Sequence, residues 1–384
     1  MDRDAMTIPA DRLLAAYHER VQRKADVLAE RDARLGANRT KITSYMENIG
    51  WPDLFGYDMN DYFADPELAM ELTLRQNIFW LDNVDQDNNL DHLSIDPGRS
   101  YWDITLLGAK IRYTRQGVPL FEPHPIADCA DLALIAPFFF HTTGAMPGIL
   151  RKYHEMKRLS ETRYSGQVDV SFPHFERGPL DIVVQLRGYE NTIRDMAENA
   201  SFVHAFMDLG VQARLRFERE RLEYLVTERP RAKVNLADDW VNVPFISPRM
   251  YREYVAPAYA AIQQREAKVE HFHTCGGYGG LAAELLDTLP DLQGIDIVPQ
   301  CNDLVRLDQE LPTNVAFHLN LLSVFTLTAE LEEQRRFLEM VGRIGRRRTV
   351  TLCPGAIVRV HETYDEDIAR LNAFIALARA AFAS

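Results

Sequence analysis

From about residue 126 onward the chain alternates short apolar runs with longer amphipathic stretches, and this rhythm constrains its fold more than any other feature. The runs Leu132–Phe138, Val168–Phe172, Lys233–Ala237, Val269–His273, Gly294–Val298, Asn314–Leu319 and Thr349–Cys353 read as strands. Between them, apolar residues recur at helical spacing. Tyr251, Val255, Tyr259 and Ile262 share one face, as do Ile368, Leu371, Phe374 and Leu377. Ser247 before Pro248 reads as an N-cap with proline in the first helical position, and Thr363-x-x-Glu366 as a capping box. Strands joined by helices pair in parallel. The expected class is therefore α/β: a (β/α)8 TIM barrel with one strand hidden, or failing that a doubly wound parallel sheet.

The N-terminal third has a different texture. Residues 9–35 form a long amphipathic helix by the recurrence of Leu13, Leu14, Tyr17, Val21, Ala25 and Leu28. Residues 36–125 are irregular and rich in aromatic and acidic side chains, with a hairpin expected around Ile111–Glu122. The division read from this is an N-terminal helical and irregular extension and cap over 1–125, and a barrel over 126–384.

Acidic residues outnumber basic ones, 56 to 43, for a net charge of −13, which argues against a nucleic-acid or anionic-membrane partner. The basic run Arg346-Arg347-Arg348 follows a helical stretch, where it can complement the dipole of that helix. The four cysteines, Cys129, Cys275, Cys301 and Cys353, are too few for a disulfide framework, and no apolar run approaches the roughly 18–20 residues of a membrane span. With no signal-like N-terminus, a cytoplasmic location is expected.

In a barrel, chemistry gathers at the C-terminal ends of the strands. Those ends carry Asp238 and Asp239, then His273 and Cys275, Asp296, His318 and Asn320, and finally Cys353. His273 and Cys275 are two apart and share a face while the strand stays extended; Gly276 and Gly277 then let the backbone turn away. Imidazole and thiolate are zinc ligands, and with Cys353 they make three donors with one position open. For the fourth, His271 lies deeper in the same strand, Asp296 and Cys301 follow a later one, and substrate itself is the remaining choice. Asp238 and Asp239 alternate in direction, so one of them faces the mouth, to bind substrate or move a proton. Asn320 is a second substrate-binding candidate.

The run Asp238-Asp239-Trp240, then Pro244-Phe245-Ile246-Ser247-Pro248 and Tyr251 to Pro257, resembles the uroporphyrinogen decarboxylase superfamily, as do Gly178-Pro179 and Leu186-x-Gly188. The resemblance spans about residues 125–384 and implies the barrel. Decarboxylases of that superfamily need no metal and carry an RQAGRY-like segment, of which only Arg75-Gln76-Asn77 stands here. His273, Cys275 and Cys353 instead look like the zinc site of its corrinoid-linked branch, the methylcobalamin:coenzyme M methyltransferases. That resemblance implies Zn2+ held by these three residues, a thiol or small methylated substrate, and a methyl group exchanged with a corrinoid. The Asp-x-His-x-x-Gly cobalamin signature is not met, since Asp91 and His92 are adjacent, so methylcobalamin would come free or on a separate corrinoid protein. A metal-free decarboxylase or lyase using Asp238 and Asp239 is the alternative.

Overall fold

The computed structural model describes residues 9–35, 38, 40–46, 50–88, 90–357 and 359–383. Its frame is built from eight strands, a six-stranded parallel sheet (β1 and β4 to β8) and a two-stranded parallel pair (β2 and β3), in chain order β1 (Thr40–Ile42), β2 (Ser94–Ile95), β3 (Asp169–Val170), β4 (Lys233–Ala237), β5 (Lys268–His273), β6 (Gly294–Ile297), β7 (Ala316–Asn320) and β8 (Val350–Cys353). Strands β4 to β8 run side by side, and β1 closes against β8 by pairing Thr40 with Val350 and Ile42 with Leu352. Beyond β3 the chain bridges to β4 at Arg177 and Ala237, and β2 pairs with β3. Between β1 and β2, residues 86–87 fill the junction: Ile42 N–H donates to Asp87 Oδ2 at 2.8 Å and Asp87 N–H to the Ile42 carbonyl at 2.6 Å. The fold is the TIM barrel.

Side-chain caps set where the connecting helices start. Ser247 accepts from Met250 N–H at 3.2 Å, and Thr363 from Glu366 N–H at the same distance, as the sequence motifs require. The first helix, Ala10–Leu35, buries Leu13, Leu14 and Tyr17 in one cluster with Met70 and Leu74 of helix Pro66–Asn83. The expected hairpin is present as Ile111–Tyr113 antiparallel to Pro119–Phe121. None of the described helices is long and apolar enough to cross a membrane.

The N-terminal third contributes β1 to the six-stranded sheet and β2 to the pair with β3. Two expectations are corrected. Leu132–Phe138 is not a strand but a 3-10 turn, Leu132–Leu134, capped by Asp131 and followed by loop. Only Ile135 and Phe138 are buried there, three apart rather than two, and Pro137 has no N–H to give a ladder. Arg348 serves a helix other than its own. Fully buried, it pairs with Asp308 at 2.7 Å and donates to the carbonyls of Asp308, Leu311, Pro312 and Val315 where helix Leu304–Glu310 ends.

Candidate functional site

The register of the sheet sorts the side chains. Phe272, Ile295, Phe317 and Val350 lie in one row across four strands and are fully buried toward the helices. The alternate row turns inward, where His271, His273, Gly294, Asp296, His318 and Asn320 line the barrel interior, most of them half-buried. Gly294 is there for space. A Cβ on it would stand 2.9 Å from His271 Nδ1 and 3.1 Å from His318 Nε2, and those two rings meet edge to face with centroids 4.7 Å apart.

At the C-terminal end of β5 this interior opens into a cluster of unlike donors. His273 Nδ1 is 2.6 Å from Asp296 Oδ2, which fixes the ring and turns Nε2 outward. That Nε2 is 3.3 Å from Asp239 Oδ1 and 3.4 Å from Cys275 Sγ, and Cys275 donates to the same Asp239 oxygen at 3.2 Å. Among the described residues, Asp239, His273 and Cys275 offer donor atoms all within 4.8 Å of one another. One carboxylate, one imidazole and one thiol are a borderline donor set, and they fit zinc.

The electrostatics follow from the contacts. Burial lowers the pKa of His273, but hydrogen bonds to Asp239 and Asp296 outweigh it and push the value up to about 12. Hydrogen bonds to His273 at Asp239, and to His271 and His273 at Asp296, outweigh burial and hold both carboxylates below the usual range. At Cys275 the pull of His273 is outweighed by burial and the Asp239 charge, so the thiol moves up. Without a cation the group is therefore a protonated imidazolium between two carboxylates, with a neutral thiol beside it.

The paired aspartates part company. Asp238 is fully buried; its Oδ2 accepts from Leu180 N–H at 3.1 Å and Tyr259 O–H at 3.0 Å, and a Cβ at Gly178 would collide with it. Burial, then the nearby Asp181, raises its pKa well above the carboxylate range. Asp238 thus ties β4 to the start of helix Pro179–Arg187, while Asp239 faces the cluster. Cys353 ends β8, buried and in register with half-buried Asn320, and stands outside the group of three. His271 Nε2 is 3.3 Å from Asp296, one layer below, and Cys301 is exposed on the loop after β6.

Gly276 and Gly277 turn out to answer close approach rather than a left-handed turn. A Cβ at Gly276 would stand 2.5 Å from Asn242 Cγ, and one at Gly277 2.8 Å from the Cys301 carbonyl oxygen. Sequence reasoning missed Arg177 and Tyr101. Arg177 bridges Asp103 at 3.0 Å and Asp181, lies 4.2 Å over the Tyr101 ring, and lowers the pKa of Asp239. Tyr101 holds a left-handed φ of 62°, a conformation non-glycine residues adopt at a cost. Reading β3 through to residue 177 would have placed Arg177 among the strand ends.

A family model for uroporphyrinogen decarboxylase matches residues 42–333. The chain belongs to that family. Within the uroporphyrinogen decarboxylase family the matched span runs from Ile42, the last residue of β1, to beyond the end of β7. Among curated proteins, a methylated-thiol--coenzyme M methyltransferase of Methanosarcina mazei is 23% identical over 223 residues, 56% of this chain. The match spans 57% of that relative's length. A methyltransferase from Methanosarcina mazei of solved structure superimposes with a TM-score of 0.60, covering 90% of this chain and 93% of the other at 14% identity. At that identity the likeness speaks for the fold.

Proposed function

We propose that this member of the uroporphyrinogen decarboxylase family is a zinc-dependent methyltransferase, moving a methyl group between a separately supplied corrinoid and a thiol or small methylated substrate. The observation that carries the reading is the Asp239–His273–Cys275 cluster, unlike donors within 4.8 Å at the open end of the barrel. Its 23% identity to a methylated-thiol--coenzyme M methyltransferase is consistent with it. His273 and Cys275 would hold the ion with Asp239 beside them, and Cys353 would join from β8. Bound there, zinc would supply the Lewis acidity that lets an incoming thiol lose its proton near neutral pH.

The chain's own residues do the rest. Asp296 sets the tautomer of His273 by occupying Nδ1. Asp239, held ionised within reach of both His273 and Cys275, is placed to complete the donor set or to position the substrate at the mouth. Asp238 acts from below, holding the β4 end rather than touching substrate. Asn320 presents an amide at the end of β7 for substrate.

Elemental analysis and the absorbance of methylcobalamin with added thiols test the reading together. About one zinc per chain and a thiol-dependent spectral change are expected, both lost in C275S. Loss in C353S assigns Cys353 to the donor set, whereas an unchanged C353S closes the set on Asp239. Full activity in a metal-free protein would overturn the proposal and favour a decarboxylase or lyase.

A further inference from the structure

A cavity lies apart from the cluster just discussed. It encloses about 850 Å³ between the segment Pro97–Tyr113, the start of helix Met146–Arg163 and residues 63–66, a volume in the range of small-molecule sites. Its walls are mostly apolar, with Phe63, Trp102, Ile111 and Ile149 among them. Four cations line this space, Arg99 and Lys152 half-buried and Lys110 and Arg151 exposed at its rim, against one carboxylate, Glu155. Glu155 is already engaged by Arg158 at 2.6 Å.

None of the four cations has a carboxylate within ion-pair distance among the described residues. Arg99 donates to Asn60 at 2.9 Å and lies between the rings of Phe63, at 4.6 Å, and Tyr113, at 3.5 Å. Its Nε is buried with no hydrogen-bond partner. Lys152 donates to the Pro97 carbonyl and lies 5.5 Å from the Phe63 ring. Burial, then the charge of Arg99, lowers its pKa to about 8, with Asp96 opposing. In a chain of net charge −13, crowding unneutralised cations into an apolar cavity is costly unless an anion completes it.

We propose that this cavity is a binding site for an organic anion, a flat apolar body carrying a phosphate, sulfonate or carboxylate group. The body would pack on Trp102, Phe63 and Ile149, and the headgroup would meet Arg99 and Lys152, with Lys110 and Arg151 at the rim. The site shares a wall with the barrel mouth. Within Arg99–Asp103, Arg99 and Trp102 line the cavity, while Tyr101 and Asp103 contact Arg177 on the other side.

The probe is 8-anilinonaphthalene-1-sulfonate, an aromatic sulfonate whose fluorescence rises on burial, titrated into the intact protein and then displaced with inorganic pyrophosphate. Saturable binding is expected, with affinity at least tenfold weaker in K110E/R151E and, as a milder pair, reduced in K110Q/R151Q. The exposed pair R249E/R336E, the same charge change elsewhere, should bind as the native protein does. Absence of saturable binding, equal affinity in K110E/R151E, or failure of pyrophosphate to compete would each overturn the assignment.

Discussion

Asp296 Oδ2 lies 2.6 Å from His273 Nδ1 and 3.3 Å from His271 Nε2, so one half-buried carboxylate orients two imidazoles on neighbouring layers of the barrel. A ligand histidine held in this way keeps its free nitrogen aimed without paying orientational entropy at binding. D296A should therefore weaken zinc binding by about 10–100-fold while leaving the fold intact. Competition against a chromophoric chelator reads the affinity, and circular dichroism the fold. D296N, which keeps an acceptor but loses the charge, should fall between the two.

Gly294 makes room for those imidazoles. G294A would push its new methyl against His271 Nδ1 and His318 Nε2, and the His271 ring has little slack because Asp296 and His318 both hold it. A loss of about 1–3 kcal/mol in urea unfolding is expected, the usual range for overpacking. An unchanged midpoint would show that the interior accommodates the methyl by movement of the rings.

Arg348 joins a guanidinium to one buried carboxylate and four carbonyls. R348M keeps much of the volume but leaves Asp308, only 6% exposed, with Arg347 as its remaining cation. Breaking a buried pair from one side costs about 3–5 kcal/mol, and the surviving Arg347 contact places this variant at the lower end. R347A, at the exposed side of the same carboxylate, should cost under about 1 kcal/mol. Parallel denaturation curves compare them.

Lys152 gives the cavity a pH dependence with a defined sign. Its folded pKa of about 8 lies below the ordinary lysine value, so protonation is disfavoured in the empty cavity and favoured by a bound anion. Stability of the ligand-free protein should accordingly rise as pH climbs through 8 toward the unfolded lysine value, and be lost below it. Affinity for the sulfonate probe should move the other way, roughly tenfold weaker at pH 9.5 than at pH 7. Asp96 and Arg99 face Lys152, with Arg151 and Glu155 beside it on its own helix. K152R, charged throughout, should flatten the profile.

Much of this was legible in the chain. The β4 to β8 runs are long enough, four to six residues, for their apolar periodicity to show, and His273 and Cys275 sit where β5 ends. Strands β1 and β2, three and two residues long, carry too little pattern to be read. The choice between Asp238 and Asp239 was beyond the sequence because it depends on Gly178, Leu180 and Tyr259, which converge only in the folded chain. Arg348 misled for a similar reason: a cation after a helix reads as that helix's own cap, and its partners lie some 40 residues upstream.

The pairing of Thr40–Ile42 with Val350–Leu352 also sets a clock. The first strand of the barrel leaves the ribosome without its neighbour, and roughly 300 further residues must follow. At about 5–20 residues per second that is a wait of about 15–60 s. The contacts of Asp87 with Ile42 and of Gln86 with Ser44 just beyond β1 are local in sequence and can form within that interval. A nascent chain built this way guards its most vulnerable edge with residues synthesised only seconds later, well before the strand that finally closes the ring.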